Sequence, residues 1–243
     1  ESLAFLQWVS ANDLDVDTNQ IVYSQWLNED AGIEADVTIT RLATNKFMAV
    51  SACASELRDR YWLNKHSGKF DCSVKHDPEV VMLGLMGPQS RVILMDLVAG
   101  SNQRIEDLQY YHSAEYLIKD IPVRANRLSY VGELGFELYV HRDQALALWR
   151  YLMKAGAAYE INPAGVHAMN ACRMEKGYRH WGDDIHDHIN PYQAGLGFAV
   201  AISGDDEIEG PDFLGRKALA GTKGVQTRRL VTLAINANDA PFM

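Results

Sequence analysis

Ser129 to Val140, reading SYVGELGFELYV, most restricts what this chain can fold into. Gly132 and Gly135 bracket a carboxylate, Glu133, and a strand-like alternation follows at once, with Phe136, Leu138 and Val140 on one face. Glycine tolerates positive φ and close backbone approach. The segment therefore predicts a tight turn that holds an acid against something bulky and runs straight into a strand.

Around it, helical and strand periodicities are mixed. Residues 2–10 read as a helix, with Leu3, Phe5, Leu6 and Val9 at helical spacing. Ile21 to Leu27 reads as a strand, Glu29, Asp30 and Gly32 as a turn, and Val37, Ile39 and Arg41 as a second strand. Phe47 to Val50 forms a third, and 52–65 reads as a helix. The apolar run Val80 to Met86 predicts a buried strand that ends at Gly87–Pro88, with a helix from there through Ala99. Tyr116 to Ile118 and Val123 to Tyr130 read as hairpin strands, with Asp120 and Pro122 near the turn. Residues 143–155 read as an amphipathic helix with Leu148, Trp149, Leu152 and Met153 apolar and Gly156 at its end. Another runs from Gly165 to Lys176, closed by Gly177. No regular βαβ alternation is present, so the expected class is α+β with antiparallel or mixed sheets and packed helices. Gly204 to Gly210, GDDEIEG, is the most linker-like segment. The expected division is residues 1–203 as one domain and 204–243 as a linker and the start of a C-terminal β domain. The chain opens at Glu1 without Met and stops at Met243, and it reads as a piece of a longer protein.

Composition excludes several classes. A net charge of −9 argues against a nucleic-acid partner, which needs a cationic footprint. No apolar run is long enough to span a bilayer and no signal peptide is visible. The three cysteines, Cys53, Cys72 and Cys172, are far apart, so neither a disulfide framework nor a zinc site is expected, and a reducing compartment is the default. No dinucleotide fingerprint, Walker loop or G-x-S-x-G is present. Cys172, inside a helix, reads as a buried, inert thiol.

Three residues could carry chemistry. Asp36 opens a β-branched strand just after a turn. By pattern alone it reads first as a solvated strand-start acid, and otherwise as a carboxylate aimed into a cleft. Glu133 reads as a hairpin-turn acid, a carboxylate able to accept two hydrogen bonds. Arg173 shares a helix face with Val166, Met169 and Asn170 and must snorkel or pair with an anion. The cluster HWGDDIHDH, from His180 to His188, offers metal-ligand types without an H-x-x-x-H pair or a second cluster, and no metal is expected.

In order and spacing, SYVGELGFELYV, NACRMEKGYRHWGDD, NPYQAGLGFAV and DFLGRKAL resemble the folate-binding aminomethyltransferase family, typified by the glycine cleavage T protein. The string EKGYRHW is closest in appearance to the C-terminal part of sarcosine and dimethylglycine dehydrogenases, and free-standing T proteins tend to have a small residue where Lys176 stands. The resemblance implies a T protein-like domain whose C-terminal β domain is mostly missing. It implies tetrahydrofolate as cofactor, and FAD only in a separate domain or subunit absent from this chain. It places Asp36 on the family's essential aspartate, Tyr23 and Glu133 on folate contacts, Arg173 on a folate-contacting arginine, and Trp181 on an aromatic wall of a covering loop. Two departures stand out: Ala31–Gly32 replaces two glycines, and Gln193 in NPYQAGLGF replaces a glutamate. DFLGRKAL, with Phe213, Gly215 and Arg216, reads as packing.

The implied activity is capture of an iminium, formed from an N-methyl amine, as methylene-tetrahydrofolate. In it Asp36 acts as a stabilising charge, since a partly exposed aspartate is a poor base near neutral pH. Three alternatives stay open: a free aminomethyltransferase using a lipoyl-bound donor or a folate-dependent demethylase, a non-catalytic folate-binding module, and a metal hydrolase built on the His/Asp cluster. The implied location is cytoplasmic, or the mitochondrial matrix in a eukaryote. The partners are small molecules and a possible flavin domain, with neither nucleic acid nor membrane.

Overall fold

The computed structural model describes residues 1–98, 104–202 and 210–234. Two antiparallel sheets organise it. The first, in the order β1-β2-β3, consists of β1 (Ile21–Leu27), β2 (Ile33–Ala43) and β3 (Lys46–Val50). The second comprises β4 (Val80–Met86), β5 (Ser113–Ile118), β6 (Ile121–Asn126) and β7 (Gly135–His141), in the order β4-β7-β6-β5. Among the described residues six α-helices accompany them: α1 (Ser2–Val9), α2 (Glu56–Ser67), α3 (Ser90–Leu97), α4 (Arg142–Gly156), α5 (Val166–Lys176) and α6 (Arg216–Ala220). The class is α+β, as the irregular order of strand and helix periodicities requires.

Each sheet has one apolar face covered by helices. Val22, Trp26, Ala35, Val37 and Ile39 of the first sheet pack with Phe5, Leu6 and Val9 of α1 and with Trp62 and Leu63 of α2. Phe136, Leu138 and Val140 of β7 pack with Ile93 and Leu94 of α3 and Leu148 and Leu152 of α4. Because side chains alternate along a strand, the opposite faces of both sheets are left to polar residues. Those polar faces approach each other. Asn126 of β6 donates to Thr40 of β2 at 3.4 Å, and a backbone bridge joins Gln20 to His112.

Several expectations need correction. β4 is an edge strand, not a fully buried one. It pairs only with β7, so Val81, Leu83 and Leu85 meet the core while Val80 and Met82 are 40% and 46% exposed. Trp149 lies on the outer side of α4, 39% exposed, and Leu148 and Leu152 carry the packing. The strand expected over Val123–Tyr130 ends at Asn126, and of 127–130 only Arg127 keeps cross-strand backbone hydrogen bonds, with Tyr111 and His112 ahead of β5. Cys172 is exposed on α5, not buried. The helix expected over 52–65 begins with a 3-10 turn at Cys53–Ser55 before α2. Ala99, most of Gly204–Gly210, and 235–243 lie outside the described residues.

Candidate functional site

Strand register puts Asp36 into the space between the sheets. On β1 and β2, Gln25 faces Asp36 and Tyr23 faces Thr38, so these four side chains share the polar face. Gln25 is completely buried and donates from Nε2 to Asp36 Oδ1 at 3.0 Å. The Tyr23 hydroxyl lies beside the same carboxylate. Asp36 retains a little open surface, but its carboxyl is densely surrounded by protein. Burial raises its pKa to about 6, against the opposing pull of hydrogen bonds from Tyr23 and Gln25 and the nearby His180. This removes the premise that Asp36 is too exposed to act as a base: near pH 7 it is mostly ionised yet can still take a proton. Burial, and then the Asp36 charge, hold the Tyr23 phenol well above its usual range.

The facing sheet contributes a residue that sequence reasoning missed. The more enclosed acid of SYVGELGFELYV is Glu137, half-buried on the polar face of β7 opposite Asn126 and Gly84. Burial raises its pKa, and the Tyr139 hydroxyl donates to its Oε2 at 2.6 Å. Glu133 is instead exposed, in the turn ahead of the strand. The signal for Glu137 was present: it falls between Phe136 and Leu138, so it must point away from the core face that they define. Two side-chain amide oxygens in this region, Gln25 Oε1 and Asn126 Oδ1, are buried without a hydrogen-bond partner. Such orphaned acceptors are costly unless something donates to them.

Aromatic residues close the rest of the space. Tyr130 donates to the Arg179 carbonyl at 2.9 Å and meets His180 Nδ1 at 3.1 Å. Its ring stacks on Tyr178, with centroids 6.5 Å apart. Burial pushes its pKa up to about 12. Tyr111, held at a φ of 58°, packs edge-on against Tyr110, and Tyr23 stacks on the exposed Phe198.

Residues 180–190 strap the Asp36 turn. Trp181 Nε1 donates to the Ile33 carbonyl at 2.9 Å, Ile33 N to Ile189 O at 3.0 Å, and Asn28 Nδ2 to Asp187 O at 3.1 Å. A Cβ on Gly32 would collide with the Asp187 carbonyl, which explains a glycine at that point although Ala31 is the residue with positive φ. Arg58 pairs with Glu34 and Asp187 and lies 4.6 Å from the Trp181 ring centroid.

Arg173 is 3% exposed and neither snorkels nor reaches open space. It donates from Nε to Asn170 Oδ1 at 2.6 Å, and one guanidinium NH2 nitrogen serves both the Tyr178 carbonyl at 3.2 Å and Asp184. Asp184 in turn accepts from the His180 amide at 2.9 Å. The His/Asp cluster is thus divided among separate partners, and among the described residues no three His, Cys, Asp or Glu side chains converge on a point. Gln193 and Asn190 cap each other reciprocally at 2.9 and 3.0 Å. Gly215, at a φ of 79°, abuts Asn28, and Phe213 is buried, as expected of packing residues.

Comparison with known proteins adds ancestry. The family model described as GCVT N-terminal domain matches residues 1–204. The chain is 36% identical over 224 residues to 4-methylaminobutanoate oxidase (formaldehyde-forming) of Paenarthrobacter nicotinovorans, a match covering 90% of this chain and 26% of that protein. It is 34% identical over 222 residues to the mitochondrial dimethylglycine dehydrogenase of Homo sapiens, covering 89% and 25%. It is 30% identical over 243 residues to the aminomethyltransferase of Halothermothrix orenii, covering 99% and 65%. The crystal structure of glycine cleavage system aminomethyltransferase T from Bartonella henselae superposes with a TM-score of 0.78 at 30% identity, covering 90% of this chain and 57% of that one. The chain therefore spans about a quarter of the oxidase and dehydrogenase relatives and 65% of the aminomethyltransferase.

Proposed function

This chain belongs to the GCVT N-terminal domain family, and from that premise we propose that it is a tetrahydrofolate-binding, one-carbon-transfer unit. The observation that carries the reading is the pair of polar sheet faces that meet where Asn126 contacts Thr40. They carry two carboxylates whose pKa burial raises, Asp36 and Glu137, and the orphaned acceptors Gln25 Oε1 and Asn126 Oδ1. A wall of acceptors fits a ligand edge rich in N–H donors, which a reduced pterin presents. Tyr23, Tyr111 and Tyr130 offer flat surfaces for its ring system.

Tetrahydrofolate supplies the nitrogens that accept a one-carbon unit. Asp36 stands where it can hold a proton from such a nitrogen or stabilise a cationic donor, and its raised pKa suits both tasks. Gln25 and Tyr23 orient that carboxylate. Glu137 and Asn126 grip the aminopyrimidine edge, and Glu133 stands exposed in the turn ahead of β7. Arg173 acts as a positioning residue, fixing Tyr178 and His180 through the Tyr178 carbonyl and Asp184. Trp181 holds the covering strap. Closing the site to water would favour transfer over hydrolysis to formaldehyde.

An N-methyl amine is the favoured one-carbon source, since relatives at 34–36% identity are a methylamino-acid oxidase and a dimethylglycine dehydrogenase. A separate flavin domain or subunit would oxidise the amine. Residues 1–203 form the folate unit in this reading, and 204–243 lead into a C-terminal β domain.

Calorimetric titration with tetrahydrofolate tests it, comparing wild type with Glu137→Gln and Asp36→Asn. Saturable binding that Glu137→Gln weakens about tenfold or more is expected. Binding to wild type that neither substitution alters would remove the cleft from the reading.

A further inference from the structure

Among the described residues, β4 is the sheet edge left without protection. A free strand edge presents a row of unpaired backbone N–H and C=O groups, and proteins guard such edges with charges, prolines, bulges or a covering segment. The outer edge of β1 is bridged by Ser10 to Trp26, and that of β5 by Val98 to Ile118, with Glu115 exposed on the same strand. β3 starts at Lys46, and its pairing with β2 shifts register between Arg41 and Ala43. β4, reading VVMLGLM, has no charge and no proline, and its register with β7 runs unbroken from Val80 to Met86. Val80 and Met82 stand exposed on its front. The first sheet does not reach this edge. Its contacts, Thr40 with Asn126 and Gln20 with His112, lie on β6 and ahead of β5, at the far side of the sheet.

α4 widens the edge into a surface. The Arg142 amide donates to the Glu79 carbonyl at 2.7 Å, and its guanidinium lies 3.7 Å from the Glu79 carboxylate. α4 therefore starts level with Val80 and runs beside β4. Its 15 residues and the 7 of β4 both span about 23 Å, so the middle of α4 stands level with Leu83. Leu146, Trp149 and Met153 share a helix flank with Arg142, and Leu146 and Trp149 are exposed.

This apolar strip is complementary to itself. A two-fold axis through Leu83 pairs β4 antiparallel with its copy. Leu83 then meets Leu83, Val81 meets Leu85, and Met82 lies against Gly84 and Met86, with no like charges opposed. Joining the sheets at the usual strand spacing brings the two α4 helices to about 10 Å, a packing distance. Running antiparallel, they set Asp143 of the first turn near Lys154 of the other copy's last turn. We propose that this chain forms a two-fold dimer through β4 and α4, doubling the four-stranded sheet. The axis stands perpendicular to the sheet, so both polar fronts face the same side.

Sedimentation velocity on the purified chain, from about 1 to 100 μM, tests it. Wild type should dimerise within that range. Met82→Lys, a change at an exposed position, should weaken the dimer about tenfold or more while circular dichroism stays as in wild type. Lys154→Glu should weaken it about two- to fivefold by facing Asp143, and adding Asp143→Lys should restore it. Hydrogen exchange along β4 should slow as wild-type concentration rises and stay constant in Met82→Lys. A chain still monomeric at about 100 μM would overturn the proposal and give the edge to a strand of another protein. So would a dimer that Met82→Lys leaves at full strength, because its contact would lie elsewhere.

Discussion

Asp36 is held at a cost in stability. Its carboxyl titrates near 6 in the folded chain and near 3.8 when free, so the folded state binds the proton more tightly. The stability contributed by the protonated form is fully present below about pH 4 and is lost as pH rises through about 6, a difference on the order of 3 kcal/mol. Asp36→Asn should therefore raise the melting temperature at pH 8 and have little effect at pH 4, which thermal scans at the two pH values would reveal. If Asp36 acts as proposed, the same substitution should lower one-carbon transfer by about 10² to 10³-fold. Transfer in wild type should rise with pH through about 6, as the carboxylate forms. A pH-independent rate between 5 and 8 would exclude an ionising Asp36 from the rate-determining step.

Among the elements, α5 and the strap of residues 180–190 decide whether the cleft is walled. Arg173 with Asp184 is a nearly buried ion pair, and removing one partner leaves the other charge without compensation. Arg173→Met should cost about 3 kcal/mol, and the loss should shrink in Arg173→Met/Asp184→Leu, as measured in a denaturant double-mutant cycle. Additive losses would mean that the pair is not the unit of stability. Gly32→Ala introduces a Cβ into the Asp187 carbonyl and should loosen the strap. Hydrogen exchange at the Ile33 amide and the Trp181 indole N–H should rise first, and protection equal to wild type would contradict the strap's dependence on Gly32.

For the molecule as a whole, the two sheets form a cleft because each has a helix-covered back and a polar front. A ligand that bridges the fronts should stabilise the whole. Tetrahydrofolate at one hundred times its Kd should add about 2.7 kcal/mol, or roughly 5–10 °C in melting temperature for a chain of this size. Glu137→Gln should erase most of that shift at the same concentration. A shift as large in the variant as in wild type would place the ligand elsewhere.

Much of this was legible in residue order. The spans of β1, α4 and α5, the turn at Gly132, the glycine that ends α5 at Gly177 and the α+β class all follow from periodicity, turn chemistry and capping. These are local forces acting within a few residues of each other. What only the tertiary structure decided is which polar residues face an enclosed space. Glu133 and Glu137 stand four residues apart with similar sequence surroundings, yet the first is exposed and the second half-buried, because Asn126 and Gly84 lie opposite it across the sheet. Arg173 was read as snorkelling or pairing with an anion, and which anion it meets, Asp184 eleven residues on, is decided inside the fold. The run at Val80–Met86 carries the apolar composition of a central strand and sits at an edge, because pairing order is set by the long connections between strands. Burial and electrostatics depend on segments remote in the chain, and only the folded arrangement brings those segments together.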